Sequence, residues 1–143
     1  MKGFTLIEIL FSVALLAILV TFNLPLVLDF YKSQQLDSNT QDIIQNLRRA
    51  QLKAMSVEDA ASFGVYFDNN DYTLFKGGSF ATRDLQYDEV FNFPQIIAVN
   101  DVPKEIVFSK FEGLPSMTGN IVIISDGESK VISINEIGRI SLE

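Results

Sequence analysis

A long stretch near the start of the chain carries almost no charge, and this limits what the chain can fold into. Residues 9–28 contain no charged side chain, and Glu8 is the only charge between Lys2 and Asp29. The run is interrupted only by Ser12, Thr21, Asn23 and Pro25. The hydrocarbon core of a bilayer is spanned by about 20 helical residues. The sequence therefore predicts a transmembrane helix over residues 4–28.

The first half of the chain is suited to one long helix. None of the 8 glycines lies between Phe4 and Phe63, and glycine destabilises a helix interior by about 1 kcal/mol. Beyond the apolar run, side chains recur at steps of four and three, which places them on one helix face; they are Leu36, Thr40, Ile43, Leu47, Ala50 and Ala54. We expect the helix to end near Ser56, after about 53 residues and roughly 80 Å. Pro25 removes one backbone donor, so a kink is predicted there.

After the helix, the sequence changes to the two-residue period of β-strands. Two stretches predict β-hairpins, namely "FGVYFDNNDYTLF" at 63–75 and "NIVIISDGESKVISI" at 120–134. The second hairpin contains the pair Asp126-Gly127, which favours a type I′ turn.

The remaining strands complete a predicted head. Short apolar runs at 95–99, 105–111 and 138–143 are strand candidates, and the polar, glycine-bearing residues 76–88 are expected to form a loop. The predicted fold class is α+β, with a long N-terminal helix and an antiparallel β-sheet packed on its second half. The head would span residues 29–143.

The composition excludes several classes of function. The chain has no cysteine and no histidine, which rules out disulfides, zinc ribbons, cysteine nucleophiles and Ser-His triads. The net charge is −7, with 18 acidic and 11 basic side chains. A nucleic-acid partner is disfavoured because phosphate binding needs clustered Lys and Arg. We therefore expect no enzyme activity, no catalytic residues, no metal site and no cofactor.

Two short clusters and one loop have competing interpretations. "DNND" at 68–71 lacks the spacing of a calcium loop, so a hairpin turn is favoured. Arg48, Arg49 and Lys53 form a basic cluster that could contact DNA. In an acidic chain, a solvated face whose cations interact favourably with the dipole at the helix C-terminus is the stronger interpretation. Residues 76–90 are the least patterned stretch. Loops often carry specificity, so this stretch is a candidate for partner contacts, with a tolerated surface insertion as an equal alternative.

The first eight residues, "MKGFTLIE", combine a Lys-Gly pair, an aromatic residue and an acid at a fixed offset. With the apolar run and Pro25 behind them, they resemble the leader junction of type IV pilins and type II secretion pseudopilins. The resemblance implies that prepilin peptidase, a membrane aspartyl peptidase, cuts between Gly3 and Phe4 and methylates the new amine of Phe4. Residues 1–3 would be the leader, and the mature chain would have 143 − 3 = 140 residues.

The same resemblance implies a location and a set of partners. The chain would cross the bacterial inner membrane once through residues 4–28, with its N-terminus cytoplasmic and its head outside. A platform protein and an assembly ATPase would then move it into a filament, in the periplasm or at the cell surface. That filament would contain other pilin or pseudopilin subunits, and this chain would be a structural subunit with no activity of its own.

Glu8 is the residue to which we assign an assembly role. An ionised carboxylate within hydrocarbon is costly, and after cleavage the apolar segment contains no Lys or Arg. The free amine of Phe4 in a neighbouring subunit is then the available partner. Such a pair would fix the axial stagger of subunits. The alternative is an ordinary signal anchor whose carboxylate reaches the head groups.

Segments of the head narrow the resemblance. "LRRAQ" at 47–51 and "GRI" at 138–140 are similar to the GspH/FimT group of minor pseudopilins and minor pilins. The resemblance to this group implies that the chain is part of a type IV pilus or a type II secretion pseudopilus, or that it primes the assembly of one. A major pilin-like subunit and a membrane-anchored binding module outside any filament stay open as alternatives.

Overall fold

The computed structural model describes residues 3–57, 60–100 and 102–143, and for residues 22–26 it describes the backbone but not the side chains. In this part of the chain, one long helix precedes eight strands. The helix is α1, Leu6–Met55, and the strands are β1 Phe63–Phe67, β2 Asp71–Lys76, β3 Asp84–Asn92, β4 Ala98–Asn100, β5 Glu105–Phe108, β6 Gly119–Ser125, β7 Glu128–Ile134 and β8 Ile140–Leu142. A short 3-10 helix, Phe80–Thr82, lies between β2 and β3.

The limits of α1 follow from its capping residues. Thr5 is the N-cap, with extended backbone (φ −80°, ψ 152°), and Ser56 is the C-cap. The predicted helix end near Ser56 is confirmed. The helix has 50 residues and its backbone continues through position 25. The kink at Pro25 stays a prediction, because the side chain of that residue lies outside the described part of the structure.

One face of the second half of α1 forms the centre of the core. All six residues of the predicted stripe are buried, from Leu36 at 0% exposure to Thr40 at 1%. The Thr40 hydroxyl donates to the Leu36 carbonyl at 2.7 Å, so the one polar member of the stripe is satisfied within the helix. Toward the N-terminus, the described apolar side chains between Phe4 and Tyr31 are exposed. The head therefore packs only on the second half of the helix.

The strands form two four-stranded sheets, in the orders β3-β2-β1-β5 and β4-β6-β7-β8. All the pairings are antiparallel. The helix contacts β1, β2 and β5 of the first sheet and β6, β7 and β8 of the second. Residues from both sheets, such as Val65 and Ile132, join the helix stripe in one hydrophobic cluster. The α+β class is confirmed, and the head contains two sheets where the pattern predicted one.

Both predicted hairpins are present. β1 pairs with β2, and the Asp68 amide donates to the Asp71 carbonyl at 2.9 Å to close the turn. β6 pairs with β7 across Asp126 and Gly127. Their φ values of 45° and 91° are those of the type I′ turn that the sequence predicted.

The loop predicted over residues 76–88 is wrong. A 3-10 helix forms at Phe80–Thr82, and β3 begins at Asp84 and pairs with β2. β3 is an edge strand with mostly exposed residues, so its sequence lacks the alternation by which half-buried strands are recognised. Of the three remaining strand candidates, β5 and β8 are confirmed in shorter form. β4 overlaps its predicted range of 95–99 only at its start and ends at Asn100.

Side chains from this segment cover the outer face of the first sheet. Phe80 stacks on Tyr66, with ring centroids 3.9 Å apart and planes at 6°, and makes a T-shaped contact with Phe75. The Arg83 guanidinium lies 3.7 Å from the Phe80 ring centroid, and its Nε donates to Asp88 Oδ2 at 2.8 Å. The segment before β3 is therefore held in place by packing, as a structural part of the head.

Gly64 lies beneath Phe75, and a Cβ at this position would come within 2.6 Å of Phe75 Cζ and 2.9 Å of the Ile106 carbonyl oxygen. We expect Gly64→Ala to destabilise the head by about 1–3 kcal/mol through overpacking. The control is Gly78→Ala, because nothing lies within 4 Å of a Cβ built on Gly78. Urea unfolding of the purified chain in detergent, followed by circular dichroism, compares the two. Equal unfolding midpoints would contradict the packing described.

Candidate processing and assembly site

The predicted cleavage junction lies just outside the helix, in backbone without regular structure. Gly3 and Phe4 precede the N-cap of α1, and the Phe4 side chain is 80% exposed. Nothing lies within 4 Å of a Cβ built on Gly3. The peptide bond between these two residues is therefore open to an enzyme. Lys2, the basic residue before the junction, lies outside the described residues.

Thr5 organises the start of the helix. Its carbonyl oxygen accepts hydrogen bonds from the amides of Glu8 at 3.1 Å and Ile9 at 3.3 Å, and its hydroxyl oxygen accepts from the Glu8 amide at 3.4 Å. Thr5 and Glu8 have the Thr-x-x-Glu spacing of a capping box. The sequence interpretation missed this role of Thr5, although the spacing in "TLIE" signals a helix start.

Glu8 lies in the first turn of α1 and is exposed. A negative charge is favourable there because the helix dipole places partial positive charge at the N-terminus. None of the ion pairs found among the described residues includes the Glu8 carboxylate. The structure thus brings Glu8 to the same end of the helix as Phe4, and its role in assembly stays a prediction.

The N-terminal half of α1 has an apolar surface that no part of the head covers. Leu6, for example, is 82% exposed, and a shallow groove along this half is lined by Leu6, Ile9, Leu10, Val13, Ala14 and Ala17. The hydroxyls of Ser12 and Thr21 each donate to the carbonyl four residues earlier, at 2.8 Å, so both are satisfied within the helix. An apolar surface of this size needs cover from lipid or from other helices.

Among the described residues, no helix is both long enough and apolar enough to cross a membrane. Residues 22–26 lie inside the predicted span, and their side chains are not described. The transmembrane segment over residues 4–28 therefore stays a prediction of the sequence.

Two segments that are far apart in the sequence meet near the C-terminal end of α1. Gln51 Nε2 donates to the carbonyls of Gly113 at 2.9 Å and Gly138 at 3.0 Å. Arg48 Nη2 donates to the Ile140 carbonyl at 3.2 Å. The "LRRAQ" and "GRI" segments are therefore in direct contact. Glycine is needed at 138, where φ is +77° and a Cβ would overlap Gln51.

The rest of the basic cluster is bound to the first sheet. Arg49 donates to both carboxylate oxygens of Glu89, at 2.6 and 2.9 Å, and Lys53 Nζ donates to one of them at 3.1 Å. Partial burial alone would raise the pKa of Glu89, but the hydrogen bonds from Lys53 and Arg49 outweigh it and hold the pKa below its ordinary value. These ion pairs connect the edge strand β3 to α1.

The long helix, the two sheets on its second half and the exposed N-terminus together define an α+β architecture built on one helix. Residues 1–22 match the family model described as the prokaryotic N-terminal methylation motif. Among solved structures, the chain is similar to the minor pseudopilin EpsH from the type 2 secretion system of Vibrio cholerae. The TM-score is 0.58 at 14% sequence identity, and the likeness covers 76% of this chain and 96% of that chain. Comparison with curated proteins found no match.

These findings confirm the resemblance inferred from the leader and the head. The motif model covers the Gly3–Phe4 junction, Thr5 and Glu8, and the structural likeness shows that the head has the fold of a minor pseudopilin.

Gln51 offers a direct test of the contact between "LRRAQ" and "GRI". We expect Gln51→Ala to destabilise the head by about 1–2 kcal/mol, because two partly buried carbonyls lose their donor. Gln45→Ala is the matched control, since Gln45 is exposed on the same helix. Thermal unfolding in detergent measures both variants. If both lower the melting temperature equally, Gln51 does not hold the two glycine loops.

Proposed function

We propose that this chain is a minor pilin or pseudopilin subunit, processed by prepilin peptidase and assembled into, or priming, a type IV pilus or a type II secretion pseudopilus. The observation that carries the proposal is the placement of the methylation motif. It lies at the capped N-terminus of an exposed apolar helix, on a chain with the fold of a minor pseudopilin.

The proposal includes the route of the chain to the filament. Residues 1–3 are the leader, residues 4–28 hold the subunit in the inner membrane, and residues 29–143 form the head outside it. The open backbone around Gly3 and Phe4 supports cleavage there. The uncovered apolar half of α1 supports a later packing among the helices of other subunits. A platform protein and an assembly ATPase act on the subunit indirectly.

The N-terminus of the mature chain tests this proposal. We expect mass spectrometry of the membrane-extracted protein to find 143 − 3 = 140 residues, beginning at Phe4 with a single methyl group on its amine. A Gly3→Leu variant should keep its leader, because a bulky side chain would obstruct backbone access to the junction. Gly78→Ala is the control that should be processed normally. A wild-type chain that still begins at Met1 would favour the membrane-anchored binding module instead.

Processing also explains the position of Glu8. Cleavage removes Lys2, and the next basic residue of the chain is Lys32, beyond the apolar segment. Within a helix-packed or lipid environment, the amine created on Phe4 of a neighbouring subunit is the cation that can reach the depth of Glu8. A buried pair contributes little net stability, but it specifies register. Glu8 would therefore set the axial stagger of this subunit against its neighbour.

Substitution of Glu8 separates insertion from assembly. We expect Glu8→Val to enter the membrane and be processed as the wild type is, because the apolar segment is intact. Its incorporation into filaments should fall by about tenfold or more, since an unpaired amine in an apolar interior costs several kcal/mol. Ser12→Val, one turn further along the helix, is the matched control. Immunoblots of sheared filaments compare the variants, and wild-type incorporation of Glu8→Val would refute the assembly role.

Other functions find less support in the structure. A major pilin-like subunit shares the leader but is not what the EpsH-like fold favours. Nucleic-acid binding through the basic cluster is opposed by the ion pairs that join Arg49 and Lys53 to Glu89. We propose no catalytic role.

A further inference from the structure

One side chain next to the cleavage junction sets the start of α1. Thr5 is the N-cap, with extended backbone (φ −80°, ψ 152°), and Leu6 is the first helical residue. The hydroxyl oxygen of Thr5 accepts from the Glu8 amide at 3.4 Å, and its carbonyl oxygen accepts from the same amide at 3.1 Å. Two residues, Phe4 and Thr5, therefore separate Gly3 from the helix.

The carbonyl group of Gly3 is the part of the junction on which cleavage depends. Hydrolysis adds water to its carbon and breaks the C–N bond to Phe4, which leaves a carboxylate on Gly3 and an amine on Phe4. The enzyme must stabilise the charge that develops on the carbonyl oxygen. Among the described residues, none donates a backbone hydrogen bond to this oxygen. It is therefore available to a donor of the enzyme.

Without the cap at Thr5, the helix has a second place to start. N-cap positions favour Ser, Thr, Asp, Asn and Gly over large apolar residues, so Gly3 is a better cap than Phe4. In a helix capped by Gly3, Phe4 would be the first helical residue. The Gly3 carbonyl would then accept the first intrahelical hydrogen bond, from the Ile7 amide. The reactive carbonyl would be held by the helix.

We propose that Thr5 is a positioning residue for leader removal: by capping α1, it keeps the Gly3 carbonyl outside the helix and free for the peptidase. Proteolysis of a structured segment proceeds through the population in which the bond is open, and the Thr5 cap makes the open form the stable one. The family model spans the junction and the cap together. This inference rests on the proposed function for the action of prepilin peptidase.

The role of Thr5 is separate from the assembly role proposed for Glu8. The hydrogen bond to the Thr5 hydroxyl comes from the main-chain amide of Glu8, and substitution of the Glu8 side chain keeps that donor. Changes at Thr5 should therefore act on cleavage, whereas changes of the Glu8 carboxylate act on incorporation into filaments.

The experiment uses the full unprocessed chain and two variants that separate the shape of Thr5 from its capping oxygen. Thr5→Val keeps the branched shape and removes the acceptor, while Thr5→Asn changes the shape and keeps an acceptor that caps helices well. Thr21→Val is the matched control, because the Thr21 hydroxyl donates to the Ala17 carbonyl within the helix. Each chain is treated in detergent micelles with purified prepilin peptidase, and mass spectrometry follows the loss of the leader.

We expect Thr5→Val to lose its leader about fivefold more slowly than the wild type, which corresponds to the roughly 1 kcal/mol of one N-cap. Thr5→Asn and Thr21→Val should be cleaved at the wild-type rate. Hydrogen exchange of the uncleaved chains, measured by NMR, supplies a second readout. The Ile7 amide should exchange more slowly in Thr5→Val alone, because only in that variant does the Gly3 carbonyl accept its hydrogen bond.

Three results overturn this proposal and leave the proposed function intact. The first is cleavage of Thr5→Val at the wild-type rate. The second is slow cleavage of both Thr5→Val and Thr5→Asn, which would show that the peptidase reads the threonine side chain directly. The third is an Ile7 amide that exchanges equally fast in every chain. A wild-type chain that is not cleaved at all would instead refute the proposed function, and this inference with it.

Discussion

The burial of one helix face is the interaction on which the rest of this structure depends. The stripe from Leu36 to Ala54 lies against both sheets and joins them in one hydrophobic cluster. The same helix leaves its first half uncovered. One continuous element thus provides the centre of the core of the head and a long exposed apolar surface. The division between these two environments falls near Asp29, the first charged residue after the apolar run.

The parts of the fold that sequence could predict are those governed by local periodicity. The stripe, the helix end at Ser56 and the two hairpins follow from spacing and turn chemistry. The segment before β3 could not be predicted, because its conformation depends on Phe80 stacking against Tyr66, a residue from a different strand. The division of the strands into two sheets could not be predicted either, because pairing between strands that are distant in the sequence leaves no local periodicity.

The residues of the candidate site also differ in whether a local sequence pattern could reveal them. Gly3, Phe4 and Glu8 were identified from a compact motif. The role of Thr5 as N-cap was not predicted, although the Thr-x-x-Glu spacing of a capping box is present in the sequence. The contact of Gln51 with the carbonyls of Gly113 and Gly138 joins three segments, and no pattern within any one of them reveals it.

The continuity of α1 has a mechanical consequence. The helix is a rod of 50 residues, about 75 Å long at 1.5 Å per residue. A load applied to its N-terminal half reaches the head along the backbone of one continuous helix. Withdrawal of the rod would shear the buried stripe together with the ion pairs of Lys130 and Glu89, which lie toward opposite ends of the buried half. Tension is therefore shared along the whole contact between the helix and the two sheets.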